Sequence, residues 1–178
     1  MDNDDWIART VGEHERPLMQ YATHLLRDPE AARDVVQEVF CRLCRQSPAE
    51  LDGHLTQWLY TVCRNCATDK IRKDRRMKPL SEMALLERDA GHGRPDTPLE
   101  TQEELSAALR AVATLPPRQQ ELVRLKFQQG LSYREIAAVT GLSLGNVGFL
   151  LHTAIAALRE RLGVNHEGHE GTKDAKRN

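Results

Sequence analysis

The sequence predicts an all-α protein made of two small helical domains, a three-helix bundle and a helix-turn-helix domain, joined by a flexible linker. Apolar residues recur at intervals of three and four along most of the chain, and the β-branched runs that are typical of strands are absent. A segment of glycines, prolines and charges at residues 90–99 interrupts this pattern. With 178 residues and 40% hydrophobic content, the chain can form two compact cores.

The formal net charge of -1 conceals a strong segregation of charge. Acidic residues cluster at the start and between residues 82 and 104, whereas seven basic and two acidic residues lie between Arg64 and Lys78. This basic segment indicates a polyanionic partner, with a solvated basic helix face as the alternative. No apolar run approaches the ~18 residues of a membrane span, and no signal pattern is present. We therefore expect a cytoplasmic protein that is not inserted in a membrane.

Two amphipathic helices are predicted before residue 46. The first runs from Arg16 to Arg27 and ends at Asp28 and Pro29, which suit the N-cap and the first position of the second helix. The second helix runs to Arg45, and its apolar face consists of Ala32, Val36, Val39, Phe40 and Leu43. The other face is polar. On it, Asp34, Gln37, Glu38 and Cys41 have no internal partner in this prediction.

The third predicted helix, Leu55–Met77, follows a short loop and completes the bundle. One arc of this helix is apolar and should face the core: Leu55, Leu59, Val62, Cys63 and Cys66. A second arc carries an aromatic residue, an amide, an acid and two guanidinium groups: Trp58, Asn65, Asp69, Arg72 and Arg76. This second arc is the candidate surface for the polyanion.

The segment after residue 100 predicts a helix-turn-helix unit, although ordinary helical hairpins share this pattern. A helix with Leu105, Leu109 and Val112 precedes Leu115-Pro116-Pro117, and a second, from Arg118 to Gln128, directs Leu122, Val123 and Phe127 inward. Ser132 and Glu135 form a predicted capping box for a short helix, Tyr133–Val139. Gly141 supplies the turn, and Ser143 caps a last helix with an inward face of Val147, Leu151, Ala154, Leu158 and Leu162.

These motifs together resemble the bacterial sigma factors of the sigma-70 family, and more narrowly its extracytoplasmic-function (ECF) group, which keeps regions 2 and 4 joined by a linker. The motifs, in the family's order, are Asp34–Phe40, Gln57–Tyr60 with Arg64, Asn65 and Asp69, Leu115–Gln119, and Gly130–Ala137. The resemblance places region 2 at residues 1–78, the linker at 79–100 and region 4 at 101–163. Residues 164–178 are a predicted disordered tail, because they are repetitive and lack apolar side chains.

The resemblance implies a non-enzymatic subunit without a cofactor. Such a subunit binds core RNA polymerase and promoter DNA, directs promoter-specific transcription initiation, and melts DNA with the helix from Trp58 to Arg76. An anti-sigma factor is a further partner that this family can have. No set of nucleophile, base and oxyanion donor, and no phosphate-binding glycine loop, can be found in the sequence, which also disfavours an enzyme.

The resemblance also assigns residues to three surfaces. The polymerase-binding residues are Asp34, Gln37, Glu38 and Phe40. The residues for the minus-ten element are Trp58, Arg64, Asn65, Asp69, Arg72, Arg75 and Arg76. For single-stranded DNA, Trp58 would stack, Asn65 and Asp69 would bond to a base, and the arginines would hold phosphates.

The third surface, for the minus-thirty-five element, departs from the family pattern. Its residues are Ser132, Tyr133, Arg134, Ser143, Gly145, Asn146, Phe149, His152 and Thr153. The family usually has lysine and arginine on the last helix, but here no fixed charge occurs before Arg159. We therefore predict that region 4 binds duplex DNA weakly and that promoter choice depends mainly on the third helix.

Four cysteines leave a further alternative open. Cys41 and Cys44, and Cys63 and Cys66, have the spacing of a four-thiolate zinc site. On helices, however, the second pair lies in the buried arc and Cys41 lies on the polar face, so we expect small hydrophobic fillers and no metal. The other functions considered are a helix-turn-helix regulator that does not bind polymerase and a cysteine-based metal or redox sensor.

Overall fold

The computed structural model describes residues 2–77 and 107–163. In the first range the helices are α1 (Asn3–Leu26), α2 (Pro29–Leu43), a 3-10 turn (Pro48–Glu50) and α3 (Leu55–Met77). In the second range residues 107–113 are helical (α4), followed by α5 (Pro117–Phe127), α6 (Tyr133–Thr140) and α7 (Leu144–Arg161). Both ranges contain helices and no strand, which confirms the all-α prediction. The predicted linker and the predicted tail lie outside these ranges.

Helix α1 is longer than predicted, because it begins at Asn3 and not at Arg16. Trp6 and Thr10 are buried on this added part, and the Thr10 hydroxyl donates to the Trp6 carbonyl at 2.8 Å. The helix continues through Pro17 and ends where Arg27 adopts a left-handed conformation with φ 55°. The sequence prediction thus missed the first part of α1, which is acidic but has one face that contributes to the core.

The start of α2 confirms the predicted cap. The Asp28 carboxylate accepts from the backbone N–H groups of Glu30 at 2.9 Å and Ala31 at 3.2 Å, and Pro29 occupies the first helical position. The helix ends at Leu43, two residues earlier than predicted. Its buried residues are Ala31, Ala32, Val35, Val36, Val39 and Leu43, whereas Phe40 is only partly buried.

Helix α3 has a wider buried surface than its predicted arc. Leu59 and Cys63 are fully buried as predicted, but so are Tyr60 and Ala67, which lie beside that arc. The additional burial follows from the tertiary structure, because α3 packs against α1 and α2 on one side and against α6 on another. The Tyr60 ring meets the Tyr21 ring edge-on, with centroids 5.1 Å apart.

Helices α6 and α7 form the predicted helix-turn-helix. Ser132 and Glu135 make both hydrogen bonds of the capping box, and the Ser143 hydroxyl accepts from the Asn146 N–H at 3.2 Å. Gly141 ends α6 with φ 71°, and the chain bends by 107° between the two helices. In the two described ranges, no single helix is long and apolar enough to cross a membrane.

Two inward assignments in this part of the chain are wrong. Phe127 and Leu162 are exposed, although their spacing placed them in the core. Phe127 is the last residue of α5, and Leu162 follows the end of α7, so both lie where the helix leaves the core. In α5 the fully buried residues are Leu122 and Leu125.

The two halves of the chain share one hydrophobic core. A single cluster of buried side chains includes Leu18 and Tyr60 from the first half and Leu122 and Ile136 from the second. The contact between α3 and α6 is the broadest junction between the halves. The sequence predicted two domains, and the structure packs them directly against each other.

Candidate nucleic-acid interface

One face of α3 carries the exposed polar residues that the sequence placed together. Asn65, Asp69, Arg72, Arg75 and Arg76 are all exposed. Arg72 donates from Nη1 to Asp69 Oδ1 at 3.3 Å, and both side chains are largely in solvent. A surface ion pair of this kind is worth about 0–1 kcal/mol, so a ligand can easily replace it. The face is therefore free to bind a polyanion.

Trp58 lies at the beginning of this face. Its side chain is half-buried and packs against the hydrophobic core, so only part of the ring is available to a ligand. Trp58 and Asn65 are seven residues apart on α3, which corresponds to about 10 Å along a helix. An aromatic surface and a hydrogen-bonding amide thus lie within the reach of two or three nucleotides.

Arg64 occupies a different position from the other predicted DNA-binding residues. Its Nε donates to Glu121 Oε1 of α5 at 2.8 Å, and the arginine side chain is only 22% exposed. The same carboxylate oxygen accepts from the Tyr21 hydroxyl at 2.9 Å. In this structure Arg64 is therefore bound by the second half of the chain and does not belong to the open face.

The polar face of α2 has partners that the sequence prediction did not assign to it. Lys70 of α3 donates to Asp34 at 2.9 Å, and Arg42 donates to Glu38 at 2.8 Å. The prediction that these acids lack internal partners is wrong: Asp34 is paired by a residue of α3, and Glu38 by Arg42, four residues later on α2 itself. Their side chains are still 69% and 52% exposed, and Gln37 is exposed beside them. The face thus remains open to another protein, with Phe40 half-buried at its edge.

The third predicted surface lies on α6 and α7. All of its residues are exposed: Ser132, Tyr133, Arg134, Ser143, Gly145, Asn146, Phe149, His152 and Thr153. Three of the hydroxyls already hydrogen-bond to the helix backbone. Ser132 and Ser143 cap α6 and α7, and Thr153 donates to the Phe149 carbonyl at 2.9 Å. Apart from Arg134, the surface carries no fixed charge, and its most exposed large hydrophobic side chain is Phe149, at 69%.

Lys126 adds a positive charge that the sequence prediction did not place near this surface. Its Nζ lies 5.6 Å from the centre of the Tyr133 ring and donates to the Leu131 carbonyl at 3.2 Å. The other edge of Tyr133 lies close to Gly148 of α7. From Ile136 to Leu158 the chain contains no Asp, Glu, Lys or Arg, so Lys126 and Arg134 supply the nearest cations.

The cysteines do not converge. Cys41 and Cys44 are exposed, Cys63 is buried and Cys66 is half-buried. Burial, and to a smaller extent the neighbouring Cys66, raises the pKa of the Cys63 thiol to about 12, so this thiol stays protonated at neutral pH. Burial also raises the pKa of Cys66. Within residues 2–77 and 107–163, no three of the His, Cys, Asp and Glu side chains are grouped so that they could hold a metal ion.

Sequence reasoning missed the residues at the junction between the two halves. Glu121 is only 6% exposed, and His24 and Arg124 lie near it. Burial, and to a smaller extent the positive charge of Arg124, lowers the pKa of His24 to about 4. The sequence did contain a signal for Glu121. This residue directly precedes the inward residues Leu122 and Val123, and helical spacing places it on the face of α5 that points toward a core.

Comparison with known proteins shows the family. A model of Sigma-70 region 2 matches residues 10–77, and a model of Sigma-70 region 4 matches residues 105–158. The ECF RNA polymerase sigma factor SigL of Mycobacterium tuberculosis is 32% identical over 161 residues, covering 85% of this chain and 88% of SigL. The chain belongs to the extracytoplasmic-function group of the sigma-70 family.

Other relatives of this group extend over nearly the whole chain. The ECF RNA polymerase sigma factor RpoE of Cereibacter sphaeroides is 28% identical over 180 residues, covering 90% of this chain and 97% of that protein. Among solved structures, RpoE from Bartonella quintana, in complex with the anti-sigma factor NepR, has a TM-score of 0.66 and 23% identity, covering 89% of this chain and 98% of that one. At this identity, the structural likeness supports the fold alone.

The resemblance that the motifs indicated is thus confirmed. As a member of the ECF group, this protein is a sigma factor for transcription initiation, a subunit that binds core RNA polymerase and promoter DNA. Helices α1 to α3 belong to region 2, whose matched residues end at the last residue of α3. Helices α5 to α7 belong to region 4.

Proposed function

We propose that this sigma factor binds core RNA polymerase through the polar face of α2 and opens promoter DNA with α3. The observation that carries the proposal is the exposed face of α3, where Asn65, Asp69, Arg72 and Arg76 follow the half-buried Trp58. Residues 1–78 would act on the minus-ten element and on the polymerase. Residues 101–163 would act upstream, and residues 79–100 would connect the two parts.

Each type of side chain on the α3 face has a defined task with single-stranded DNA. Stacking of a base on Trp58 is worth about 1–3 kcal/mol and tolerates any base, so it favours melting without selecting sequence. Asn65 and Asp69 can distinguish bases, because amide and carboxylate groups pair with particular base edges. Arg72, Arg75 and Arg76 hold phosphates and fix the position of the strand. Melting and base selection therefore come from different residues of one helix.

The polymerase-binding face would consist of Asp34, Gln37, Glu38 and the edge of Phe40. Both acids are in surface ion pairs, which a basic partner surface can replace at small cost. The half-buried Phe40 adds apolar contact area beside these charges. A partner with basic side chains around an apolar centre would match this arrangement.

Region 4 would make the weaker of the two DNA contacts. Nonspecific affinity for DNA depends on neutralised phosphates, and the exposed face of α7 has no fixed charge before Arg159. Asn146 can still pair with adenine and Phe149 can contact a thymine methyl group. We infer that promoter choice rests mainly on α3, with Lys126 and Arg134 as the main phosphate contacts upstream.

A protein inhibitor is a further proposed partner. RpoE from Bartonella quintana was solved with the anti-sigma factor NepR, and CnrH was solved with the cytosolic domain of CnrY. The CnrH structure matches this chain with a TM-score of 0.56 and 23% identity, covering 92% of each. Because this chain shares their fold, we infer that it also binds an anti-sigma factor.

Transcription in vitro tests the proposed function. Purified protein is added to core RNA polymerase on fragmented genomic DNA, and the 5′ ends of the transcripts are mapped. We expect new start sites that share an upstream sequence and that require both the protein and Trp58. If the protein binds promoter fragments but starts no transcript with core polymerase, it acts as a helix-turn-helix regulator instead.

A further inference from the structure

The junction between regions 2 and 4 contains a buried carboxylate of region 4 whose side-chain hydrogen bonds go to two residues of region 2. Glu121 of α5 is 6% exposed, and its Oε1 accepts from Tyr21 of α1 at 2.9 Å and from Arg64 of α3 at 2.8 Å. A buried carboxylate is stable only when it is paired and hydrogen-bonded. Glu121 meets this condition only while region 4 lies against region 2. Its bonds therefore depend on the closed arrangement.

The group held by Glu121 is one that the family resemblance assigns to the minus-ten DNA. Arg64 lies on α3 immediately before Asn65, which belongs to the exposed face. A guanidinium binds a carboxylate and a phosphate with the same donors. While Glu121 occupies the Arg64 Nε, that donor is unavailable to a DNA phosphate. Glu121 thus takes the place that a phosphate would take.

The same junction contains a buried hydrogen-bond donor without a partner in the described part of the chain. Arg124 lies one helical turn after Glu121, and its buried Nε has no hydrogen-bond partner among the described residues. Burial lowers the pKa of the Arg124 guanidinium. His24 is also close to this site. Two arginines, Arg64 and Arg124, therefore lie at a junction with one buried carboxylate, and an incoming polyanion would stabilise the separated halves.

We propose that Glu121 is an intramolecular latch that holds region 4 on region 2 and withholds Arg64 from DNA until the two regions separate. The latch deepens the proposed function and rests on it for the role of Arg64 in promoter binding. In the closed state the cation pairs with Glu121. In the open state the same cation pairs with a phosphate of the promoter. Opening and DNA binding are then linked, because each favours the other.

Small-angle X-ray scattering of the full chain tests the closure without DNA or polymerase. Glu121→Gln keeps an oxygen acceptor for Tyr21 but removes the charge that pairs with Arg64, and Glu160→Gln is the matched control, since Glu160 is exposed on α7. We expect Glu121→Gln to raise the radius of gyration over wild type by about 2 Å or more, because two separated domains are larger than one compact body. The control should stay at the wild-type value. An unchanged radius for a folded Glu121→Gln chain would overturn the latch.

A second variant reaches the same ion pair from region 2. Arg64→Gln should expand the chain as Glu121→Gln does, and the exposed Lys73→Gln on the same helix should not. Helical circular dichroism checks that each variant is folded. If Glu121→Gln does not fold, the Arg64→Gln result decides the question. A compact Arg64→Gln chain would then refute the proposal.

Binding of single-stranded minus-ten DNA by the free chain tests whether Arg64 is withheld. We expect Glu121→Gln to bind roughly threefold tighter or more, because apparent affinity scales with the fraction of molecules in the competent state. Adding Arg64→Gln to Glu121→Gln should abolish the gain. An expanded chain without any gain in affinity would refute the withholding of Arg64, whereas a failure of the proposed function would appear separately as an absence of polymerase-dependent transcripts.

Discussion

Arg64 of α3 and Glu121 of α5 form an ion pair at 2.8 Å, although 57 residues separate them in the sequence. The pair joins the part of the chain that is expected to read melted DNA to the part that carries the helix-turn-helix. It shows that the two regions of this sigma factor are not independent in the closed chain.

Reversing the charge of Glu38 should weaken the binding of core polymerase. Glu38→Lys replaces a half-exposed acid on α2 with a lysine beside Arg42. The two adjacent positive charges would repel a basic partner surface. We expect about a tenfold loss of affinity, or about 1.4 kcal/mol. Glu15→Lys on the exposed side of α1 is the control. Co-purification of Glu38→Lys with core polymerase at the wild-type level would exclude this face.

Truncating Trp58 to alanine, Trp58→Ala, should impair promoter opening more than initial binding to the closed promoter. Stacking becomes available only after bases leave the duplex, and it is worth about 1–3 kcal/mol per base. Because Trp58 also packs against the core, Trp58→Phe is the control that keeps an aromatic face. Permanganate footprinting measures opening, and gel shift at low temperature measures the closed complex. Equal losses in both assays would indicate that Trp58 is a packing residue only.

Asn65 and Arg72 should separate base selection from general affinity. Asn65→Ala removes an exposed amide and should relax base preference at one position of the minus-ten element. Arg72→Ala should weaken binding to all sequences and flatten the log-log salt dependence by about one unit. Both are measured with a panel of single-stranded oligonucleotides at several salt concentrations. A change of base preference in Arg72→Ala would contradict the assignment.

Two glycines of region 4 should respond to alanine with opposite signs. Gly148 lies inside α7, where an added Cβ would meet only the Tyr133 ring, at 3.9 Å. Gly148→Ala should therefore raise the free energy of unfolding by about 0.5–1 kcal/mol, through lower backbone entropy in the unfolded chain. Gly141 has φ 71°, a left-handed conformation that alanine adopts only with strain. Gly141→Ala should therefore lower the free energy of unfolding by about 1 kcal/mol. Urea unfolding of the two variants compares these values, and a destabilised Gly148→Ala would show that α7 is constrained there.

The junction should weaken as the pH falls. Burial lowers the pKa of His24 to about 4, against 6.5 for an ordinary histidine, and Arg124 and Arg27 add to this shift while Glu121 opposes it. Well above pH 6.5 His24 is neutral in both the folded and the unfolded chain, so its titration does not change the free energy of unfolding there. As the pH falls from 6.5 toward 4, the unfolded chain takes up a proton that the folded chain excludes, so stability is lost.

Urea unfolding between pH 7 and pH 5 measures this loss. The slope from one histidine is at most about 1.4 kcal/mol per pH unit, and partial exposure reduces it. His24→Gln keeps a polar side chain of similar size without a titrating group, so its stability should vary less with pH than that of the wild type. The control is His152→Gln, since His152 is exposed on α7. Identical pH profiles for wild type and His24→Gln would contradict the assignment.

Local rules determined most of the helices. The cap at Asp28, the box of Ser132 with Glu135 and the turn at Gly141 depend on residues within four positions of each other, so the sequence contains all the information that they need. Helical periodicity likewise places Asn65, Asp69 and Arg72 on one face. For the same reason, the family motifs could be recognised from the sequence alone.

The tertiary structure decided which polar residues remain available. Asp34 is paired by Lys70, 36 positions away, and Arg64 by Glu121, 57 positions away, so no local pattern can predict either pair. Tyr60 and Ala67 are buried by other helices of the folded chain, and the Tyr60 ring lies edge-on against Tyr21 of α1. Periodicity gives the direction of a side chain from its own helix axis, whereas its partner depends on which other helix the folded chain brings to that side.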